Sequence, residues 1–329
     1  MNKISFLFLL VTQLLSSQFD NKQLNSIDII SYRFNIEIND TTNVINAKAV
    51  IKFVRKKPVK TLGLNLFQKK ADGYGMTVSK VLNSTHQNIK FSHENDSLHI
   101  FLPQITKRTK DTLNIEIFYQ GQPADGLYIR KNKYGKRTFF GDNWPNRARY
   151  WLPTIDHPSD KAKVAWTITA PKHYDVVASG RRIFKISEDK TNTFHYETKV
   201  PIPTKVMVFA AADFNIKNFE KLYLKKQCVP VSSWIYQDSP VKGFDDYKCA
   251  LSILKFYDSL LGPYSFQKLA NVQSNTRFGG MENAGNIFYD ENTVDGTKSV
   301  ENLVAHEVAH QWFGNAVTEK NWRDIWLSE

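Results

Sequence analysis

Cysteine is almost absent from this 329-residue sequence, which has only Cys228 and Cys249. Two cysteines cannot make a disulfide-stapled scaffold, and these two do not form a metal-binding pair. Sequence alone leaves their own pairing open. Long hydrophobic runs are missing beyond Leu15, so no later segment has the roughly 20 apolar residues that a membrane-spanning helix needs. Internal repeats and low-complexity tracts are absent as well. What remains is 42% hydrophobic and 23% charged, with 15 Gly and 12 Pro. That composition excludes disorder, collagen and coiled coil, and it fits a globular protein with a sizeable core. At roughly 100–200 residues per domain, the length suggests two domains. The net charge of +12 is made of interspersed signs. Its densest basic run, Arg55-Lys56-Lys57, comes with no nucleic-acid motif, so the charge reads as solvated surface with no nucleic-acid partner.

The first residues carry a pattern of their own. Lys3 precedes an apolar stretch from Ile4 to Leu15, and Ser16, Ser17 and Gln18 follow. A basic start, a short apolar run and small residues form a secretory signal, and Thr12 and Gln13 interrupt the run too early for a membrane anchor. Residues 1–17 are therefore expected to be a signal peptide. The mature protein, periplasmic or secreted, should begin near Gln18.

From about Ser31 to Ile216 the chain reads as short strands separated by turns. Tyr32-Arg33-Phe34-Asn35-Ile36-Glu37-Ile38 alternates, and Leu113-Asn114-Ile115-Glu116-Ile117-Phe118-Tyr119 does so most cleanly. No long amphipathic helix interrupts residues 18–219, which predicts an all-β domain. The pattern then changes. Ser239 and Pro240 can start a helix that carries Phe244, Tyr247, Leu251, Leu254 and Leu261 on one face and stops at Gly262. A strand is expected near Leu269–Val272, and a second helix from about Ser299 to Phe313, ended by Gly314-Asn315. Residues 220–329 thus read as a different, mixed helix-and-strand domain.

The chemistry sits in that second part. In His306-Glu307-Val308-Ala309-His310 the two histidines are four residues apart, so they share one face of a helix and can meet one ion. Zinc accepts neutral imidazole and carboxylate, and catalytic sites use three protein ligands and a water. Glu307 sits one position around the helix, where it can reach that water as a base. A third ligand is required; Glu319, Asp324 and Glu329 are all within permissive reach. A second motif, Phe278-Gly279-Gly280-Met281-Glu282-Asn283-Ala284-Gly285, lets backbone approach an extended peptide closely. Glu282 beside it suits a positively charged amine.

In this order and spacing the two motifs resemble the zinc aminopeptidases of peptidase family M1. The likeness continues through Gly262-Pro263-Tyr264, Gln311-Trp312-Phe313-Gly314-Asn315 and Trp326-Leu327-Ser328-Glu329. Upstream, Arg149-Tyr150-Trp151-Leu152-Pro153, Asp156-His157-Pro158 and Lys161-Ala162 resemble the family's β-domain segment that closes on the active site. The resemblance implies a saddle-shaped β domain followed by the first part of a thermolysin-like catalytic domain. It implies one zinc ion held by His306, His310 and Glu329, the last of these 18 intervening residues beyond His310. Glu307 is then the general base, and Glu282 grips the free N-terminus of a peptide substrate. Gly279, Gly280, Met281 and Asn283 line the substrate backbone. Three departures accompany the likeness. Trp144 stands where the family has a Gln or Glu that contacts the amine, with Asp142 nearby as a substitute. Ser328 replaces the usual asparagine. The family's oxyanion tyrosine lies beyond Glu329, so the chain is expected to hold a complete β domain and about half of a catalytic one. Alternatives are a zinc endopeptidase on the same helix and a catalytically incompetent peptide-binding fragment. Epoxide hydrolysis, found in one branch of the family, needs pocket residues that are not identifiable here.

Overall fold

The structure, a computed structural model, describes residues 24–103 and 111–329. The expected signal segment, residues 1–17, lies outside the described residues. Among those described, no helix is long and apolar enough to cross a membrane.

The first half is built from strands whose side chains alternate between core and solvent. Its largest sheet has seven strands, in the order Arg181–Ser187, Thr191–Glu197, Lys163–Pro171, Ile27–Glu37, Ile45–Arg55, Asp111–Gln122 and Gly75–Asn83. Ile27–Glu37 starts four residues before Ser31. Its alternation is broken by a register shift between Ile29 and Ser31 against Ile45–Arg55. The extra residue, Ile30, is pushed toward solvent, after which Tyr32, Phe34 and Ile36 point inward again. On its other side Ile27–Glu37 runs parallel to Lys163–Pro171, with Phe34 opposite Trp166. A three-stranded sheet and a four-stranded sheet complete this half. The latter has the order Asp175–Ala178, Phe209–Ala212, Arg137–Gly141, Leu127–Lys131.

The second half holds a five-stranded sheet, ordered Phe214–Asn218, Val231–Tyr236, Leu269–Ser274, Asn286–Asp290 and Gly280–Met281. Leu269–Ser274 is parallel to both neighbours and buried along its whole length, as a central strand covered on both faces should be. Phe214–Asn218, on the N-terminal side of the expected domain boundary, pairs with Val231–Tyr236 in this sheet. Phe140, Val177, Ala210 and Ala212 of the four-stranded sheet pack with Trp234, Val272, Met281 and Phe288 of the five-stranded one in a single buried cluster. The chain is thus a mostly β first half joined through shared core to a mixed second half.

Two helix boundaries differ from the sequence expectation. The helix expected from Ser239 begins only at Ala250 and runs to Leu261. Ser239 does not cap it; its hydroxyl donates to Gln273 Oε1 at 2.8 Å. Val241–Asp245 forms a tight 3-10 turn around Gly243, and Asp246 turns its carboxylate to the amides of Asp295, Gly296 and Lys298. The end matches, with Gly262 at φ +104°. The second helix spans Glu301–Ala309, shorter than expected. Beyond Ala309 the amides of Gln311 and Trp312 bond three residues back, to Val308 and Ala309, so the chain tightens before Gly314. Cys228 and Cys249 are free thiols.

Asp160 shows how the first half handles a buried acid. It is 5% exposed, one of its carboxyl oxygens has no partner, and burial pushes its carboxyl up to about 7. The folded protein therefore keeps this proton where the unfolded chain has lost it, so the contribution of Asp160 to stability falls as pH rises from about 4 to about 7. Asp160→Asn should remove that fall and leave the variant more stable than the parent at pH 7 by about 3 kcal/mol. Denaturant unfolding of both proteins at pH 4.5 and pH 7 checks this; an equal pH dependence in the two would refute it.

Candidate metal and peptide site

The helix Glu301–Ala309 presents His306 and, at its end, His310 on one face, with Nε2 of each 3.0 Å from the other. His310 is buried and its Nδ1 lies 3.2 Å from the carbonyl of Phe313. A carbonyl can only accept, so Nδ1 carries the proton and Nε2 presents its lone pair to His306. Two nitrogens on one tetrahedral zinc stand about 3.3 Å apart, close to this spacing. Glu329 brings a carboxylate oxygen to 3.9 Å from His310 Nε2, and the donor atoms of His306, His310 and Glu329 all lie within 4.8 Å of one another. Two imidazoles and a carboxylate in this arrangement fit zinc.

The other possible third ligands are occupied elsewhere. Glu319 is buried against Lys205, with Nζ 2.8 Å from Oε1. Asp324 accepts from Asn321 at 3.2 Å and faces Arg323. Of the three acids left open by spacing, only Glu329 reaches the histidines.

Glu307 lies beside this cluster in a dry position, 4% exposed. Burial pushes its carboxyl up to about 9, and the charges of Glu282 and Glu329 add to the effect. A dication held between His306 and His310 opposes this shift by favouring the carboxylate. The glycine strip explains how Glu307 fits. A Cβ on Gly280 would overlap the Glu307 carboxylate, whereas a Cβ on Gly279 would meet nothing within 4 Å. A side chain at position 280 would have to displace the Glu307 carboxylate, whereas one at 279 would meet open space.

Gly280–Met281 forms the edge strand of the five-stranded sheet, paired on one side only, with Tyr289 and Phe288. Glu282 follows directly, 5% exposed, and its Oε1 is buried with no hydrogen-bond partner. Its backbone carbonyl accepts from Gln311 Nε2 at 3.0 Å and Asn315 Nδ2 at 2.6 Å. Gln311 Oε1 also accepts from the amide of Gly285 at 2.9 Å. Gln311 and Asn315 thus clamp the strip to the metal helix, a function that spacing did not assign to either. Asn283 is fully buried next to Glu282.

From the β half, Trp144 stacks edge-on against Phe278, ring centres 5.6 Å apart. Asp142 gives one oxygen to Arg147 Nη2 at 2.5 Å and leaves the other buried without a partner; burial pushes its carboxyl up to about 6. Arg149 binds Asp156 at 3.1 Å, and Lys161 donates to the carbonyls of Asn315 and Ala316 at 3.2 and 2.8 Å. The Arg149–Lys161 segment therefore reaches the loop that follows His310.

Comparison with known proteins bears on the family and the fold. The profile described as the Peptidase M1 N-terminal domain matches residues 29–206, and that of the Peptidase family M1 domain matches residues 246–329. Tricorn protease-interacting factor F2 of Thermoplasma acidophilum is 28% identical over 278 residues, covering 79% of this chain and 33% of its own length. Leucine aminopeptidase 2 of Saccharomyces cerevisiae is 32% identical over 206 residues, 62% of this chain and 29% of its own length. The chain spans about a third of the length of these relatives. Among solved structures, the M1 zinc metallopeptidase of Deinococcus radiodurans has the same fold, with TM-score 0.79 and 22% identity over 92% of this chain and 68% of that one. A mutant of that protein was solved bound to a Tyr-Ser-Ala substrate.

The two glycines give a direct test of the packing at Glu307. Gly280→Ala should destabilise the folded protein by about 1–3 kcal/mol, the usual penalty of overpacking. Gly279→Ala should change stability by less than about 0.5 kcal/mol. Denaturant unfolding measures both, and equal effects at the two positions would contradict the assigned contact.

Proposed function

Because the chain belongs to peptidase family M1, we propose that it forms the β domain and metal-binding half of a zinc-dependent aminopeptidase. The observation that carries this reading is Glu282: a buried carboxylate oxygen with no partner, next to an edge strand and beside the base of a metal helix. A free α-ammonium would supply the missing partner, and it would fix how much of a peptide can pass the metal. An enzyme that cuts inside chains has no use for such a carboxylate. The names of the yeast relative and of human glutamyl aminopeptidase, 31% identical over 206 residues, support the same class of reaction.

In this reading His306, His310 and Glu329 hold one zinc ion. Zinc, when bound, polarises the scissile carbonyl and acidifies an attacking water. Glu307 does the proton work. As a carboxylate it takes the proton from the water that attacks the carbonyl carbon, and as an acid it passes that proton to the leaving amine nitrogen. The free edge of Gly280–Met281 offers backbone N–H and C=O groups to an extended substrate, which would lie on the sheet as an added strand. Gln311 and Asn315 keep Glu282 in register with that edge. The basic, apolar and small-residue order of residues 1–17 supports action outside the cytoplasm, on peptides with free N-termini.

Two measurements bear on this. The purified full-length protein should release single residues from aminoacyl substrates with a free amine and leave N-acetylated ones largely uncut. Equal rates on the two would sink the aminopeptidase reading and favour an endopeptidase. Glu307→Gln should retain zinc at the parent's stoichiometry while turnover drops by about 100-fold or more. Loss of zinc in that variant would make Glu307 a ligand and not a base.

A further inference from the structure

Glu329 has little of its own to hold it. Its side chain is 53% exposed, and its carboxylate lies 3.9 Å from the His310 imidazole. The residue before it is held in a very different way. Ser328 is buried, and its hydroxyl donates to Glu319 Oε2 at 2.5 Å. Both oxygens of Glu319 accept from Lys205 Nζ, at 2.8 and 3.0 Å, and the same ammonium reaches Ser328 Oγ at 3.2 Å. An ammonium has three protons to donate, and all three are spent on Glu319 and Ser328. The Lys205 and Glu319 side chains are wholly shielded from solvent.

Lys205 belongs to the β half, in the 3-10 turn Thr204–Val206. That turn is fixed from two sides. Thr204 Oγ1 donates to Asp156 Oδ1 at 2.9 Å, and Asn143 Nδ2 donates to the carbonyl of Thr204 at 3.2 Å. Close packing continues on the metal side, where a Cβ on Gly314 would lie 3.4 Å from Ser328 Cβ and 3.7 Å from His310 Nδ1. The loop from His310 to Glu329 is therefore tied to the β half at Asn315 and Ala316 by Lys161, and at Glu319 and Ser328 by Lys205.

A buried ion pair contributes little net stability, because desolvation of both charges offsets their attraction. It does fix geometry, since each charge is costly anywhere except beside the other. We propose that Lys205 is a positioning residue for the third metal ligand: through Glu319 and Ser328 it sets the backbone immediately before Glu329, so that metal capture in the second half depends on a cation supplied by the first. Ser328 is then the link that transmits the anchor. The inference rests on the zinc site described above.

The test is zinc affinity by equilibrium competition with a chromogenic chelator, run beside unfolding curves of the metal-free proteins. The double variant Lys205→Met with Glu319→Leu replaces the pair by apolar side chains of similar size. Its metal-free unfolding midpoint should stay near the parent's, while zinc binding weakens by about 10- to 100-fold. Ser328→Ala leaves the ion pair in place and should weaken zinc binding in the same direction; it decides the matter if the double variant fails to fold. Unchanged zinc affinity in a folded variant overturns the proposal, as does a loss of affinity matched by an equal loss of metal-free stability. Failure of the parent protein to take up zinc overturns the zinc site itself, and the inference with it.

Discussion

Glu282, Glu307 and Glu329 bring three carboxylates toward one another, and the first two do so out of water. Like charges in a poorly solvated place repel strongly, and among the described residues no lysine or arginine donates to the Glu282 or Glu307 carboxylate. Such a cluster is stable only with protons or with a cation between its members. The imidazoles supply the geometry for that cation: His310 is held by the Phe313 carbonyl in the tautomer that turns its Nε2 lone pair toward His306. Much of the surrounding structure follows from this charge arrangement. Gly280 gives up its side chain to make room for Glu307, and Gln311 and Asn315 hold the Glu282 backbone from the metal helix.

The parts of the site set by short-range geometry were legible in the sequence. Two histidines four apart had to share a helical face, and their Nε2 atoms do lie 3.0 Å from one another. Strands with clean alternation, such as Asp111–Gln122, were legible for the same reason. What failed was local pattern overruled by distant partners. Ser239 reads as a helix cap but bonds Gln273, and Asp246 serves a loop fifty residues away. Ile27–Glu37 lost its early residues to a bulge that resets the alternation. Spacing could not choose among Glu319, Asp324 and Glu329, because the stretch from His310 to Glu329 is a folded loop in which Glu319 is held by Lys205, 114 residues before it. The single trace of Lys205 in the sequence is that it is the one charged residue in the run from Pro201 to Ala212, where Thr204 is the only other polar side chain.

The β half is therefore more than a neighbouring domain. Its four-stranded sheet shares a buried cluster with the five-stranded sheet, which fixes the platform on which Gly280–Met281 forms an edge. Its Arg149–Lys161 segment and Lys205 reach across to the loop between His310 and Glu329. Trp144 and Phe278 meet where the two halves flank the strip. The Gly279-Gly280 strip and the His310–Glu329 loop thus share a common support, so a disturbance in the first half would be felt in both.

The parallel pairing of Ile27–Glu37 with Lys163–Pro171 bears on the order in which the protein can be assembled. A growing chain can close the antiparallel pair of Ile27–Glu37 with Ile45–Arg55 as soon as both have been made. The other edge of that first strand has no native partner until residue 171 has been synthesised. For most of the synthesis of this half, the strand that will end near the centre of the seven-stranded sheet is an open edge, and such edges invite pairing with foreign strands. The bulge at Ile30 and the charged Arg33 and Glu37 along the strand are local features that make such an edge harder to extend.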